Sequence, residues 1–323
     1  AGRPPAWVSA GLPQFVVEDF RRSYGDDWAF EAEALMAPRA PIDLRVNGVR
    51  ATRDAVLSEL RADDLAVEPT PFSAWGLRLP ADPPPNIQKL AAFRDGRLEI
   101  QDEGSQLVAW LGEARPGMTV VDYCAGGGGK TLALGQNLFA GDEPSRLIAC
   151  DVVQKRLDNI RPRLQRAGIA AELRLLTEAG DGLDDLAGQA DLVFVDAPCS
   201  GSGTWRRRPE DAFRLTPEEV ERLHALQVAI LDRAARLAKP GARLVYVTCS
   251  MLARENEDSC AAFEAAHPEF RPVPVAQALS TPDLTDAGRA RLAELAQGSH
   301  RLRLSPRRSH TDGFFAALYE RTA

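Results

Sequence analysis

The sequence predicts an α/β protein: a doubly wound, largely parallel sheet with a smaller α+β module ahead of it. Three observations carry this. From about residue 119 onward, short apolar runs alternate with helical patterns, as βαβ units require. A glycine-rich turn, Gly126-Gly127-Gly128-Gly129, stands between an apparent strand and an apparent helix. Acids and cysteines recur at the carboxyl ends of the apparent strands, the edge at which such sheets bind ligands.

Taken in order, residues 119–124, 146–151, 172–176, 191–196 and 242–248 read as strands, because each is a short β-branched or apolar run. Residues 131–140, 153–167, 217–238 and 254–266 read as helices between and after them. The third opens with Thr216 as N-cap, Pro217 in the first turn and early acids Glu218 and Glu219, and Lys239-Pro240-Gly241 is expected to stop it. Residues 313–319 read as a last antiparallel strand at the sheet edge, with 301–304 as its partner. Between them, 272–298 reads as a loop with a short helix near 289–295. Upstream, 15–24 and 51–62 look helical, 42–46 looks like a strand, and the proline-rich 80–85 reads as a stiff connection.

A chain of 323 residues with 45% hydrophobic content can bury one large core and a smaller one, expected as a module over 1–100 and a main domain over 101–323. No apolar run reaches the roughly 18 residues of a membrane span, and the start lacks the basic-then-apolar order of a signal peptide, so a cytoplasmic protein is expected. Five cysteines without a Cys-x-x-Cys pair argue against a disulfide framework and against a metal site. A net charge of −7 speaks against nucleic acid in bulk, but charge distribution matters more than its sum. Lysine occurs only at positions 89, 130, 155 and 239, while Arg206-Arg207-Arg208 and the group Arg301, Arg303, Arg307 and Arg308 concentrate a better phosphate ligand.

Three motifs bear chemistry. Asp122-Tyr123-Cys124-Ala125 leads into the glycines and Lys130-Thr131; Asp196-Ala197-Pro198-Cys199-Ser200 ends one strand; Thr248-Cys249-Ser250 ends another. The first approaches a P-loop, yet Cys124 stands where that loop needs its leading glycine. Asp151, about 20 residues beyond the glycines, suits the ribose hydroxyls of an adenosine-type cofactor. A cofactor beside a sulfur nucleophile accounts for all three motifs. A P-loop ATPase and a noncatalytic RNA-binding protein are the competing readings.

These blocks, together with Glu255-Asn256, Asp312-Gly313-Phe314-Phe315, Gln101-Asp102-Glu103-Gly104-Ser105-Gln106 and Leu44-Arg45-Val46-Asn47, resemble the signatures of the Sun-type (RsmB/NSUN-like) RNA cytosine-5 methyltransferases. One departure is that Gly126 and Gly127 replace the alanine and proline usual in that family's first block. The resemblance implies a class I (Rossmann-like) methyltransferase sheet, S-adenosyl-L-methionine as cofactor, and RNA as partner, with ribosomal RNA favoured and the target cytosine in a single strand or loop. It assigns the nucleophile to Cys249, release of the product to Cys199, and a hydrogen bond to the cytosine to Asp196. Cofactor contacts fall to Cys124, Ala125, Gly126, Gly127, Gly128, Gly129, Lys130, Asp151, Asp181 and Asp196. Arg206, Arg207 and Arg208 are expected to meet the RNA backbone, with Arg45, Arg50 and Arg53 as further contacts. Cys124, Cys150 and Cys260 are expected to be packing residues.

Overall fold

The computed structural model describes residues 4–37 and 39–322. Four short strands, β1 (Ile42–Val46), β2 (Glu68–Pro69), β3 (Gly76–Leu79) and β4 (Leu98–Ile100), form an antiparallel sheet in the order β2-β3-β1-β4. The helix Arg53–Ala62, capped by the Thr52 hydroxyl, lays Val56, Leu57 and Leu60 in one core with Leu44, Val46, Leu77, Leu79 and Leu98. Residues 6–36 do not enter that core. Leu12, Val16, Phe20 and Leu35 instead pack with Trp205, Met251 and Leu252, so the first hundred residues contribute to two cores.

The large sheet holds β5 (Thr119–Asp122), β6 (Arg146–Asp151), β7 (Glu172–Leu175), β8 (Ala190–Asp196), β9 (Ala238–Thr248), β10 (Phe270–Pro272), β11 (Arg301–Leu304) and β12 (Phe314–Arg321). Its order is β10-β12-β9-β8-β5-β6-β7, with β11 also paired to β12. Strands β5 to β9 run parallel. Alternation along the strands feeds both faces: Leu192, Phe194, Val245 and Val247 join one core, whereas Val193, Val195, Leu244 and Tyr246 join the other. The chain winds from β5 out to β7, then returns to set β8 against the free side of β5. That reversal opens a crevice above the carboxyl ends of β5 and β8.

Two expectations change. The last strand is not at the edge, because β9 covers one side of β12 while β11 and β10 share the other. The helix Pro217–Ala235 ends early, and Lys239-Pro240-Gly241 lies inside β9, where the register against β8 shifts. A proline, lacking an N–H, is tolerated at such an irregularity. Among the described residues no helix is long and apolar enough to cross a membrane.

Candidate active site

Strand β5 delivers Asp122, Tyr123 and Cys124 to the crevice, and the glycine turn then folds back over β6. Ala125 N–H donates to the Cys150 carbonyl at 2.8 Å, and Gly126 N–H donates to Asp151 Oδ2 at 3.0 Å. Gly128 has φ +84°, and a Cβ there would lie 2.9 Å from Ile160, so only glycine turns the chain into the helix Gly129–Leu138. A Cβ on Gly127 would meet nothing nearer than Arg163 at 3.8 Å, which leaves the outer face of the turn open. Val153 N–H donates to Asp151 Oδ1 at 2.9 Å, so backbone donors hold the carboxylate from both sides. Each of its oxygens keeps a lone pair for a ligand hydroxyl.

At the end of β8, Asp196 Oδ2 accepts from Lys130 Nζ at 2.8 Å. Burial opposes the Lys130 charge, but Asp196 and then Cys249 outweigh it and raise its pKa, keeping the ammonium protonated. Cys199 Sγ and Cys249 Sγ, from the loops after β8 and β9, lie 3.4 Å apart. The neighbouring sulfur and then burial push the Cys199 thiol far up. Burial, followed by Asp122, does the same to Cys124, which packs against the core. Burial pushes Cys260 up to about 12 and raises Cys150 as well, as suits packing residues.

A cleft of about 790 Å³ takes in Cys124, Gly126, Gly127, Asp151, Asp196, Cys199 and Cys249. Thus both thiols share one space with the turn and with the acid that ends β6. An adenosyl group fits this donor set: a side-chain-free turn for close approach and an oriented carboxylate for ribose hydroxyls.

Residues 109–320 match the family model described as 16S rRNA methyltransferase RsmB/F, and 12–84 match the ferredoxin-like domain of RsmF/B-like methyltransferases. The chain belongs to the RsmB/F family. It is similar to ribosomal RNA small subunit methyltransferase B of Xanthomonas campestris pv. campestris, at 31% identity over 98% of this chain and 68% of that protein. The crystal structure of PH0851 has a TM-score of 0.84 at 29% identity, covering 99% of this chain and 70% of that one. That of NSun6 from Pyrococcus horikoshii, solved with SFG, has a TM-score of 0.80, covers 97% and 99%, and at 19% identity speaks to the fold alone. The chain spans about half to two thirds of the length of the curated relatives it matches.

Several expected contacts are redistributed in this RsmB/F chain. Asp181 lies outside the cleft, exposed, with its carboxylate 3.1 Å from the Thr177 hydroxyl. With Gly180 it lines a smaller cavity of about 320 Å³ that shares Tyr123, Gly180 and Arg233 with the cleft, while Glu178 lines the cleft itself. Arg206 is only 7% exposed: its Nε donates to Asp312 at 2.5 Å and its Nη2 to Asp102 at 3.2 Å. Arg207 bonds the same two carboxylates at 2.7 and 3.1 Å. Both fasten the loop to the protein, Arg207 remaining 31% exposed, and Arg208, 66% exposed and near Asp211 and Glu210 at 3.4 and 3.8 Å, is the most exposed member of the triplet. Arg45 is fully buried, with its Nε 2.8 Å from Gln101 Oε1, and is no surface contact either. At the C-terminal end, Arg301 pairs with Glu264 at 2.9 Å and Arg307 with Asp27 at 2.8 Å.

The sequence reading also missed part of the wall. Arg222, Leu226, Ile230 and Arg233 line the cleft from one helix, at steps of four, four and three residues. That spacing marks a single helical face and was visible in the sequence.

Proposed function

We propose that this chain methylates carbon 5 of a cytosine in RNA, ribosomal RNA first, through a transient bond between Cys249 and carbon 6. The observation that carries this reading is the pair of sulfurs 3.4 Å apart in the same cleft as the glycine turn and Asp151. Asp151 and the turn at Gly126 and Gly127 hold the cofactor. S-adenosylmethionine, when bound, supplies an electrophilic methyl group.

Carbon 5 of cytosine is too electron-poor to take that methyl unaided. The Cys249 thiolate, beside the Lys130 ammonium, adds to carbon 6 and pushes electron density onto carbon 5. Asp196 hydrogen-bonds the cytosine edge and stabilises the charged ring while the new carbon–carbon bond forms. The proton on carbon 5 then leaves, its bonding electrons restore the ring double bond, and the carbon 6–sulfur bond breaks. Cys199 assists that release. The target base must be unstacked to reach the cleft, so a cytosine in a loop or single strand is the substrate. Arg208 and the small sheet of β1 to β4 contribute contacts to the RNA.

The test is transfer of labelled methyl from S-adenosylmethionine to ribosomal RNA by the purified chain, with bisulfite sequencing to locate the product. One or a few protected cytosines are expected. RNA binding without transfer would make this a noncatalytic RNA-binding protein on a methyltransferase fold.

A further inference from the structure

Each of the two active-site cysteines is followed by a serine, and the covalent mechanism uses neither Ser200 nor Ser250. Both reach one carboxylate. Glu255 is fully buried. Its Oε1 accepts from Ser200 N–H at 2.8 Å and from Gln227 Nε2 at 3.1 Å. Its Oε2 accepts from the Ser200 hydroxyl at 2.6 Å and from the Ser250 hydroxyl. Gln227 Nε2 also donates to the Pro198 carbonyl at 2.9 Å, so the helix Pro217–Ala235 braces the same loop. One side chain therefore gathers the loop of Cys199, the loop of Cys249 and a helix.

The choice of a carboxylate here needs a reason. Among the described residues, Glu255 forms no ion pair. Burying a carboxylate without an opposite charge is costlier than burying a neutral side chain. A glutamine would also fit, because serine hydroxyls can accept from an amide as readily as they donate to a carboxylate. The negative charge is thus retained for something other than packing. Its neighbour on one side is Cys199, whereas the Lys130 ammonium is the charge beside Cys249.

We propose that Glu255 is a positioning residue that locks the two cysteine loops together, and that its buried charge, bonded to both the N–H and the hydroxyl of Ser200, adds to the neighbouring sulfur and to burial in holding the proton on Cys199. The inference rests on the covalent reading above. It explains why both cysteines carry a serine. Hydrogen bonds to Ser200 and Ser250 offset the burial of the carboxylate, which raises its pKa.

The test compares Glu255→Gln, which keeps the shape and removes the charge, with Glu255→Ala, which removes both, in the full chain without cofactor or RNA. Iodoacetamide labelling across pH, read peptide by peptide by mass spectrometry, gives an ionisation midpoint for each cysteine. Diamide oxidation reads how often the two sulfurs meet, as an intramolecular disulfide. In Glu255→Gln the Cys199 midpoint is expected to fall by about one pH unit, with diamide crosslinking unchanged. In Glu255→Ala crosslinking is expected to fall about tenfold as the loops separate. An unmoved Cys199 midpoint in Glu255→Gln, or wild-type crosslinking in a folded Glu255→Ala, overturns the proposal; if Glu255→Ala does not fold, Glu255→Gln decides alone. These readouts involve no methyl transfer. The covalent reading fails separately, if wild-type protein with the expected thiol behaviour methylates no cytosine.

Discussion

The loops after β8 and β9 both open with a cysteine and a serine, but they are held in different ways. The loop after β9 closes on itself: the Thr248 hydroxyl donates to Asn256 Oδ1 at 2.6 Å, Asn256 Nδ2 to the Ser250 carbonyl at 2.9 Å, and the Tyr246 hydroxyl to the Glu255 carbonyl at 2.6 Å. The loop after β8 is fastened to distant parts of the chain. Gly203 N–H donates to the Cys249 carbonyl and Gly313 N–H to the Gly203 carbonyl, each at 2.8 Å. Those backbones touch so closely that a Cβ on Gly203 would lie 2.1 Å from the Gly313 carbonyl oxygen. Arg206 and Arg207 add the ties to Asp102 and Asp312. The two loops share bonds to one another and to Glu255, but the loop of Cys249 adds bonds within itself, whereas that of Cys199 adds ion pairs to segments about a hundred residues away.

Replacement of the cysteines gives the largest effects and would break the comparison if the roles were reversed. Cys249→Ser should lower 5-methylcytosine formation by about a thousandfold or more, because a serine hydroxyl is hardly ionised near neutral pH. Cofactor binding, measured by calorimetry, should survive. Cys199→Ala should instead let the bond to RNA form and persist, seen as a slow-migrating protein–RNA band on a denaturing gel. An adduct in Cys249→Ser, or its absence in Cys199→Ala, would exchange the two assignments.

Loosening the anchors separates the loops without touching a sulfur. Arg206→Ala leaves Asp102 and Asp312 buried with one guanidinium fewer, and breaking such a pair typically costs about 3–5 kcal/mol of stability. Urea unfolding should show this. The variant should also accumulate some RNA adduct under conditions where it remains folded, since the loop of Cys199 is then held mainly by its bonds to Glu255 and to the Cys249 carbonyl and presents its thiol less accurately. Arg206→Lys should recover little, because a lysine cannot bridge two carboxylates in the same fork.

How much of this arrangement could be read in advance follows the same division. The strands that end at Asp122, Asp151, Asp196 and Thr248 were legible because unbroken apolar runs such as Leu192-Val193-Phe194-Val195 are buried on both faces. The turn and both cysteines were legible because local sequence determines them. The helix Glu103–Trp110 was not, since it is buried almost all round and shows no polar face to set a period. Arg206, Arg207 and Arg208 look alike in sequence. Only the partners of the first two, Asp102 and Asp312, lying 104 and 106 residues from Arg206, distinguish an anchor from a surface charge.

Strand β5 ends in neither type of loop, which sharpens the contrast. Among the described residues, Asp122 has one hydrogen-bond partner, the Thr131 hydroxyl at 2.6 Å from Oδ2, while Oδ1 has none. Burial raises its pKa from 3.8 to about 7. Over that window the folded protein retains a proton that the unfolded chain has lost. The contribution of Asp122 to stability therefore declines as pH rises from about 4 to about 7, by up to about 1.4 kcal/mol per pH unit. Asp122→Asn cannot ionise, so its stability between pH 5 and pH 7 should fall less, or rise more, than that of the wild type. Parallel curves in urea titrations would mean that the carboxylate is better solvated than its neighbours indicate.

Arg208 marks the free end of the β8 loop and gives the smallest effect. It is 66% exposed, and its nearest acids, Asp211 and Glu210, stand 3.4 and 3.8 Å away. Such surface pairs contribute at most about 1 kcal/mol, so Arg208→Ala should change stability by less than about 0.5 kcal/mol. On the proposed reading Arg208 makes one bond to a phosphate, so the variant should bind RNA about threefold more weakly at moderate salt, and the slope of log affinity against log salt should shrink by about one. Fluorescence anisotropy with a labelled RNA across a salt series measures both. An unchanged slope would remove Arg208 from the RNA surface and leave the whole arginine triplet as structure.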